Sequence, residues 1–415
     1  MKMLRISFGL PGVFMLMVFL ASPPAFAQAN NEELLARLES LQQQIDELKR
    51  QLEQTRNQTS ETDAKVDAVA DAIESPPQQQ YAARQATTIG GYGELHYNSL
   101  NANDPARDVD AIDFHRFVLL FGHQFNDRTR FYSEVELEHS FVADSGGDTP
   151  GEVELEQAYI EFDLRPGLHS KAGLFLLPVG ILNETHEPTT FFGVERNNVE
   201  SIIIPSTWWE AGAALNGRWG TDWDWNLAVT SGLSMPTSGG NAFRIRSGRQ
   251  KVAEAMAENP AITGRLRYLG IAGLQAAVTV QHQFDASQAG GDGLGEATLM
   301  EAHLDYRRGG FGLRGLYARW DFSSEAVAAA DADVQKGWYI EPSYRINERF
   351  GFYTRFEDIE AARASDQFQQ WELGMNWWPN DHVVVKIDYR NRDHDLAGAA
   401  GGDFTGIDLG VGYAF

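Results

Sequence analysis

From Thr87 to Phe415 apolar and polar residues alternate with a period of two, and no other feature constrains the fold as strongly. Near the C-terminus Ile407, Leu409, Val411, Tyr413 and Phe415 share one face, while Gly406, Asp408, Gly410, Gly412 and Ala414 share the other. The same device recurs at 381–390, where Val383, Val385, Ile387 and Tyr389 alternate with Lys386, Asp388 and Arg390. A sandwich in water would also alternate, so the connections decide between the two architectures. About sixteen strands can be drawn from 87–98 to 404–415, and the links between them alternate short and long. Asn126-Asp127-Arg128-Thr129, Arg165-Pro166-Gly167, Trp219-Gly220-Thr221, Arg308-Gly309-Gly310 and Pro379-Asn380-Asp381 are among the short ones. Short turns on one rim and long loops on the other predict an all-β transmembrane barrel of about sixteen antiparallel strands. The strands suit the roughly 9–11 residues that a tilted crossing requires. Trp219, Trp223, Trp225, Trp377 and Trp378 flank short turns, where an interfacial aromatic girdle is expected.

Ahead of the barrel the period changes. Residues 1–27 read as a secretory signal: Lys2 and Arg5, an apolar run from Ile6 to Leu20, then Ala25-Phe26-Ala27 as a small-x-small cleavage site. Residues 28–74 are expected to form an α-helical coiled coil, because Leu34, Leu38, Leu41, Ile45, Leu48 and Leu52 step four and three apart. The stripe resumes at Val66, Val69 and Ile73 after a run of threonines. Ser75-Pro76-Pro77 then opens a linker over 75–86. An even strand number puts both barrel ends on the short-turn rim, so the coiled coil is expected in the periplasm and the barrel in the outer membrane of a Gram-negative cell.

Charge and composition remove several classes. Two of the 34 Lys+Arg lie in the signal, leaving 32 against 58 Asp+Glu, a net charge of −26. A chain so acidic lacks the basic surface that nucleic acid requires. With no cysteine it can have neither disulfides nor thiolate chemistry.

The chemistry of a barrel is that of its lumen wall, so the polar strand faces supply the candidates. Arg116, Arg130, Lys171, Arg265, Arg267 and Arg314 are the basic ones, and Glu134, Glu136 and Glu138 form an acidic cluster beside Arg116. Fixed charges of this kind set ion preference; the alternative is that they pair across strands and brace the wall. The link 178–206 carries Phe191, Phe192, Ile202, Ile203 and Ile204 together with Glu184, His186, Glu187, Glu195 and Arg196. Too apolar for a loop in water, it is expected to fold inward and narrow the pore; a cap or a subunit contact is the alternative. No catalytic residues are expected. His186-Glu187 has no second histidine at helical spacing, and neither a metal site nor a cofactor is read from the sequence.

Four segments resemble the phosphate-selective porin O and P family: Arg116-Phe117-Val118-Leu119-Leu120-Phe121-Gly122, Phe131-Tyr132-Ser133-Glu134-Val135-Glu136, Glu156-Gln157-Ala158-Tyr159-Ile160 and Gly173-Leu174-Phe175-Leu176-Leu177-Pro178-Val179-Gly180. The resemblance implies a sixteen-stranded trimeric pore, general or anion-preferring, often preceded by a coiled coil. Phosphate preference in that family goes with lysines at the mouth and arginines along the lumen. Between 87 and 415 this chain has only Lys171, Lys251, Lys336 and Lys386, and acids outnumber arginines. The expectation is therefore passive diffusion of small hydrophilic solutes or ions, with anions such as phosphate as one option and the solute left open. A structural barrel anchoring a periplasmic tether is the competing reading. Expected partners are outer-membrane lipid, two further copies in a homotrimer, the barrel-assembly machinery reading Phe415, and peptidoglycan near the coiled coil.

Overall fold

The computed structural model describes residues 49–50, 87–140, 151–290, 293–395 and 399–415. The expected signal peptide, the coiled coil and the linker over 75–86 lie outside these residues apart from 49–50.

Sixteen antiparallel strands close into a barrel in sequence order. They are β1 (Thr87–Ala102), β2 (Val109–Asn126), β3 (Thr129–Glu138), β4 (Val153–Arg165), β5 (Leu168–Leu176), β6 (Trp209–Trp219), β7 (Trp223–Thr230) and β8 (Ala261–Ile271). The second half comprises β9 (Leu274–Gln283), β10 (Ala297–Arg308), β11 (Phe311–Phe322), β12 (Val334–Arg345), β13 (Phe350–Glu360), β14 (Gln367–Asn380), β15 (Val383–His394) and β16 (Phe404–Ala414). Closure abolishes the edges that an open sheet would expose, which is the condition for putting strands in lipid. Tyr92 opposite Ala414 and Ala102 opposite Phe404 mark the seam between β1 and β16. At the end of that seam the Gly91 and Phe415 backbones exchange hydrogen bonds of 2.8 and 3.0 Å. A Cβ on Gly91 would come within 2.3 Å of the Val118 carbonyl and 2.8 Å of the Phe415 ring, so only glycine lets the terminal phenylalanine lie there.

Links on one rim are two to four residues long, with Gly167, Gly220, Gly273 and Gly309 at positive φ where the chain reverses. Links on the other rim are longer, the two largest spanning 177–208 and 231–260. Outward-facing Leu227, Val229, Val278, Val280, Leu373, Ile387, Leu409 and Val411 are exposed as an apolar belt, as a lipid-facing wall requires. Trp219, Trp223, Trp377 and Phe350 are exposed beside the short turns, and Phe350 stacks on Trp377. Trp378 departs from the expected girdle. It is buried, its ring meets Phe192 edge-on at 5.6 Å, and the Arg345 guanidinium lies 4.0 Å above it. As the neighbour of an outward Trp377 it must point into the bore.

Candidate functional site

The lumen holds the apolar core of the molecule because the 177–208 segment turns back into it. Val199, Ile203, Ile204 and Trp208 of the segment are fully buried against Trp320, Tyr339 and Ile359 of the inner wall. Burying each large side chain contributes about 1.5–3 kcal/mol, enough to draw a loop of this composition out of water. Trp208 and Trp320 pack at 6.2 Å, and the Trp320 indole donates to the Ile203 carbonyl at 3.0 Å.

Two residues shape the segment from within. Glu200, wholly buried in a π-helical turn (Val199–Ile203), accepts from the Ile181 and Leu182 amides at 2.6 Å each, from Asn197 at 2.9 Å and from the Tyr339 hydroxyl at 3.1 Å. Gly180 (φ +73°) leaves room for that carboxylate, since a Cβ there would sit 2.5 Å from its Oε1. Asn183 donates to the Leu177 and Trp208 carbonyls and accepts from the Trp208 amide at 2.7 Å, which ties the two ends of the segment together. Neither residue stands out in the sequence. A buried carboxylate feeding on backbone amides leaves no periodic signal.

The rest of the segment crosses the bore. Glu184 pairs with Arg265, which also donates to Asn226 at 2.9 Å. The His186 carbonyl accepts from Arg116 at 2.7 Å, and Glu187 offers its carbonyl to the Thr190 hydroxyl at 2.8 Å. Glu195 reaches His96 at 3.1 Å and Asn98 at 3.0 Å on β1. Burial works against its charge, but the His96 imidazole and the Arg390 guanidinium hold the carboxyl well below the ordinary range. Further along, Asn376 donates to the Phe191 carbonyl at 3.1 Å, Lys386 to the Gly193 carbonyl at 2.7 Å, and the Val194 amide to Asp388 at 2.7 Å. Segment backbone thus serves as partner to wall charges on β2 and β15 and to a wall amide on β14.

On the wall, the basic candidates are mostly paired. Arg116 binds Glu94 at 2.6 Å, not the 134–138 acids; Arg130 binds Glu161 at 2.8 Å and Asp163 at 3.0 Å. Arg267 binds Asp224 at 2.9 Å, and Arg314 binds Asp305 at 2.9 Å and the Thr190 carbonyl at 3.0 Å. Lys171 instead lies 5.0 Å over the Tyr159 ring. Arg355, which alternation also puts inward, binds Glu341 at 2.9 Å, Glu357 at 3.0 Å and Glu372. The Glu134–Glu138 cluster is enlarged by a β-bulge. Glu134 pairs with Gln157 and Val135 with Leu155, so Glu156 is the extra residue and turns inward beside Gln157. Strict alternation would send it outward, which is why the sequence hides it.

A second group of arginines is held differently. Arg196 donates to the Thr207 hydroxyl at 3.1 Å, Arg246 to the Ser206 carbonyl at 2.6 Å, and Arg249 to the Thr207 carbonyl. Each of these partners is a neutral oxygen, and the Arg249 Nε is buried without one. Arg246 and Arg249 come from the 231–260 link, where no strand pattern points to them.

The phosphate-selective porin O and P family matches residues 89–415 of this chain. A protein of Aquifex aeolicus (strain VF5) is 30% identical over 350 residues, which cover 76% of this chain and 77% of that protein. Among solved structures, OmpF of Salmonella typhi in complex with daunomycin aligns with TM-score 0.57 at 13% identity, covering 80% of this chain and 98% of that one. The outer-membrane channel DcaP of Acinetobacter baumannii aligns with TM-score 0.50 at 13% identity, over 81% and 100%.

Proposed function

Since the chain belongs to the phosphate-selective porin O and P family and is an outer-membrane channel for small solutes, we propose that it works by passive diffusion through a bore narrowed by the 177–208 and 231–260 segments. Solutes would meet Arg196, Arg246 and Arg249 at that narrowing, beside Glu136, Glu138 and Glu156. The observation that carries this reading is the contrast in partners. Most inward cations are neutralised by a carboxylate, whereas these three bond only neutral oxygens and keep their charge available to a passing anion. Small anions such as phosphate, which the family name suggests, would be slowed there; neutral hydrophilic solutes would pass by size.

Three copies would assemble side by side in lipid, each with its own lumen, and the barrel-assembly machinery would read Phe415. The segment 28–74 would form a periplasmic coiled coil that joins the copies or reaches towards peptidoglycan. An enzyme is not proposed, because the family is one of channels.

The test is single-channel conductance of the refolded protein in planar bilayers, with reversal potentials in a chloride gradient and phosphate added as a blocker. Stepwise openings in threes and a phosphate block that weakens in Arg249→Gln support the reading. Openings without phosphate block remove the anion preference and keep the pore. Silence from folded, inserted protein overturns the channel and favours the structural tether.

A further inference from the structure

We infer that Glu134, Glu156 and His186 form a divalent transition-metal site, of zinc type, that clamps the inserted segment to the wall of β3 and β4. This goes beyond solute passage and does not depend on it. The two carboxylates stand on adjacent strands, brought together by the β4 bulge, and the imidazole descends from the segment above them. All three side chains are buried, and one ligand atom from each lies within 4.8 Å of the others.

Unpartnered atoms point to the ligand. His186 Nε2 and Glu156 Oε2 are buried and make no hydrogen bond, and Glu136 next to them has a free Oε2 as well. His186 Nε2 lies 3.5 Å from Glu134 Oε1 and 3.7 Å from Glu156 Oε2. Those separations are long for hydrogen bonds, whose range is roughly 2.7–3.2 Å. They suit atoms sharing one cation, because bonds of ~2.0–2.2 Å at tetrahedral to trigonal angles set ligand atoms ~3.3–3.7 Å apart.

The surroundings prepare both kinds of ligand. His186 Nδ1 faces the Asn183 carbonyl at 3.3 Å, a long contact to an acceptor that favours the ring proton on Nδ1 and leaves the Nε2 lone pair towards the carboxylates. Glu134 is aimed by the Tyr92 hydroxyl at 2.8 Å and by Gln157 at 2.6 Å. Arg116 makes no bond to the group: it gives Nε to Glu94 and Nη2 to the His186 carbonyl. The two ligating carboxylates, with Glu136 buried beside them, concentrate negative charge that a divalent cation would offset. One nitrogen with two carboxylate oxygens selects zinc or its neighbours over calcium and magnesium, which favour all-oxygen shells.

The experiment titrates zinc into EDTA-stripped full-length protein in detergent micelles, by calorimetry. It is done in an Asp113→Asn, Asp163→Asn background, because Asp113, His115 and His139 form one separate cluster that can also take metal, and Glu161, Asp163 and His169 form another. We expect one saturable site per chain, weakened by roughly tenfold or more in His186→Gln and in Glu156→Gln. Folding of each variant is verified by heat-modifiable migration. Absence of saturable binding in the parent, or affinity unchanged from the parent in either variant, overturns the site. Should neither variant fold, X-ray absorption of the zinc-loaded parent decides. A shell with one imidazole supports the site, and a shell with two or none overturns it.

Discussion

The two halves of the inserted segment are held to the barrel by different physics. Around 199–208 the anchor is apolar: Ile203, Ile204 and Trp208 sink into a pocket walled by Trp320, Tyr339 and Ile359. Around 184–196 it is ionic, with Glu184 on Arg265, Glu195 on His96, and backbone carbonyls on Arg116, Lys386 and Arg355. The apolar contact is non-directional and indifferent to salt. The ionic one fixes position, but each partner lost strands a buried charge. The segment is thus pinned in depth by one half and in register by the other.

Removing a cation from the ionic half should have the largest effect. Arg355→Ala leaves Glu341, Glu357 and Glu372 facing one another without the guanidinium they share and drops the hydrogen bond to the Glu195 carbonyl. We expect a loss of about 3–5 kcal/mol and a wider, noisier pore, read as a lower unfolding temperature in detergent and as higher conductance. An unchanged unfolding temperature would mean that the three carboxylates do not depend on Arg355. On the apolar side, Ile203→Ala should cost about 2–4 kcal/mol, because the tight pocket cannot collapse. Conductance should rise less than in Arg355→Ala, since the ionic half still sets the register. A larger rise would reverse the division of labour. Glu200→Gln comes next. It keeps the shape but puts an amide donor among four donors, for about 1–3 kcal/mol, measurable in the same melts.

How legible these regions were in the sequence follows from the same physics. Alternation and turn spacing exposed the barrel, because each strand repeats one rule: an apolar residue to lipid, a polar one to the bore. The link 178–206 betrayed itself by apolar residues that water would not tolerate. What stayed hidden was everything that breaks period two or acts through the backbone. Glu156 is turned inward by a bulge, Glu200 binds amides rather than side chains, and Trp378 lies beside an outward Trp377 yet packs on Phe192. Pairing was hidden too. Arg116 stood next to the 134–138 acids in the reading of the sequence, and it does face Glu138 on β3, but its ion pair goes to Glu94, its cross-strand partner on β1. The coiled coil, drawn from heptads alone, lies almost wholly outside the described residues.

The smallest expected effect sharpens the comparison by moving an ion pair to the surface. Lys251, on the 231–260 link, joins Glu152 at 2.6 Å and Glu154, with about a third of its side chain open to water. There solvent screens the attraction and ordering a long side chain offsets it, so Lys251→Ala should cost only about 0–1 kcal/mol. The cost should also shrink in high salt, whereas that of Arg355→Ala should persist, because counter-ions do not reach a group buried among three carboxylates. Melting both variants at low and high ionic strength makes the contrast measurable. If the Lys251 variant loses as much as the Arg355 variant at either salt concentration, burial is not what gives the ionic anchor its strength. The polar half of the segment would then have to be held by charge alone.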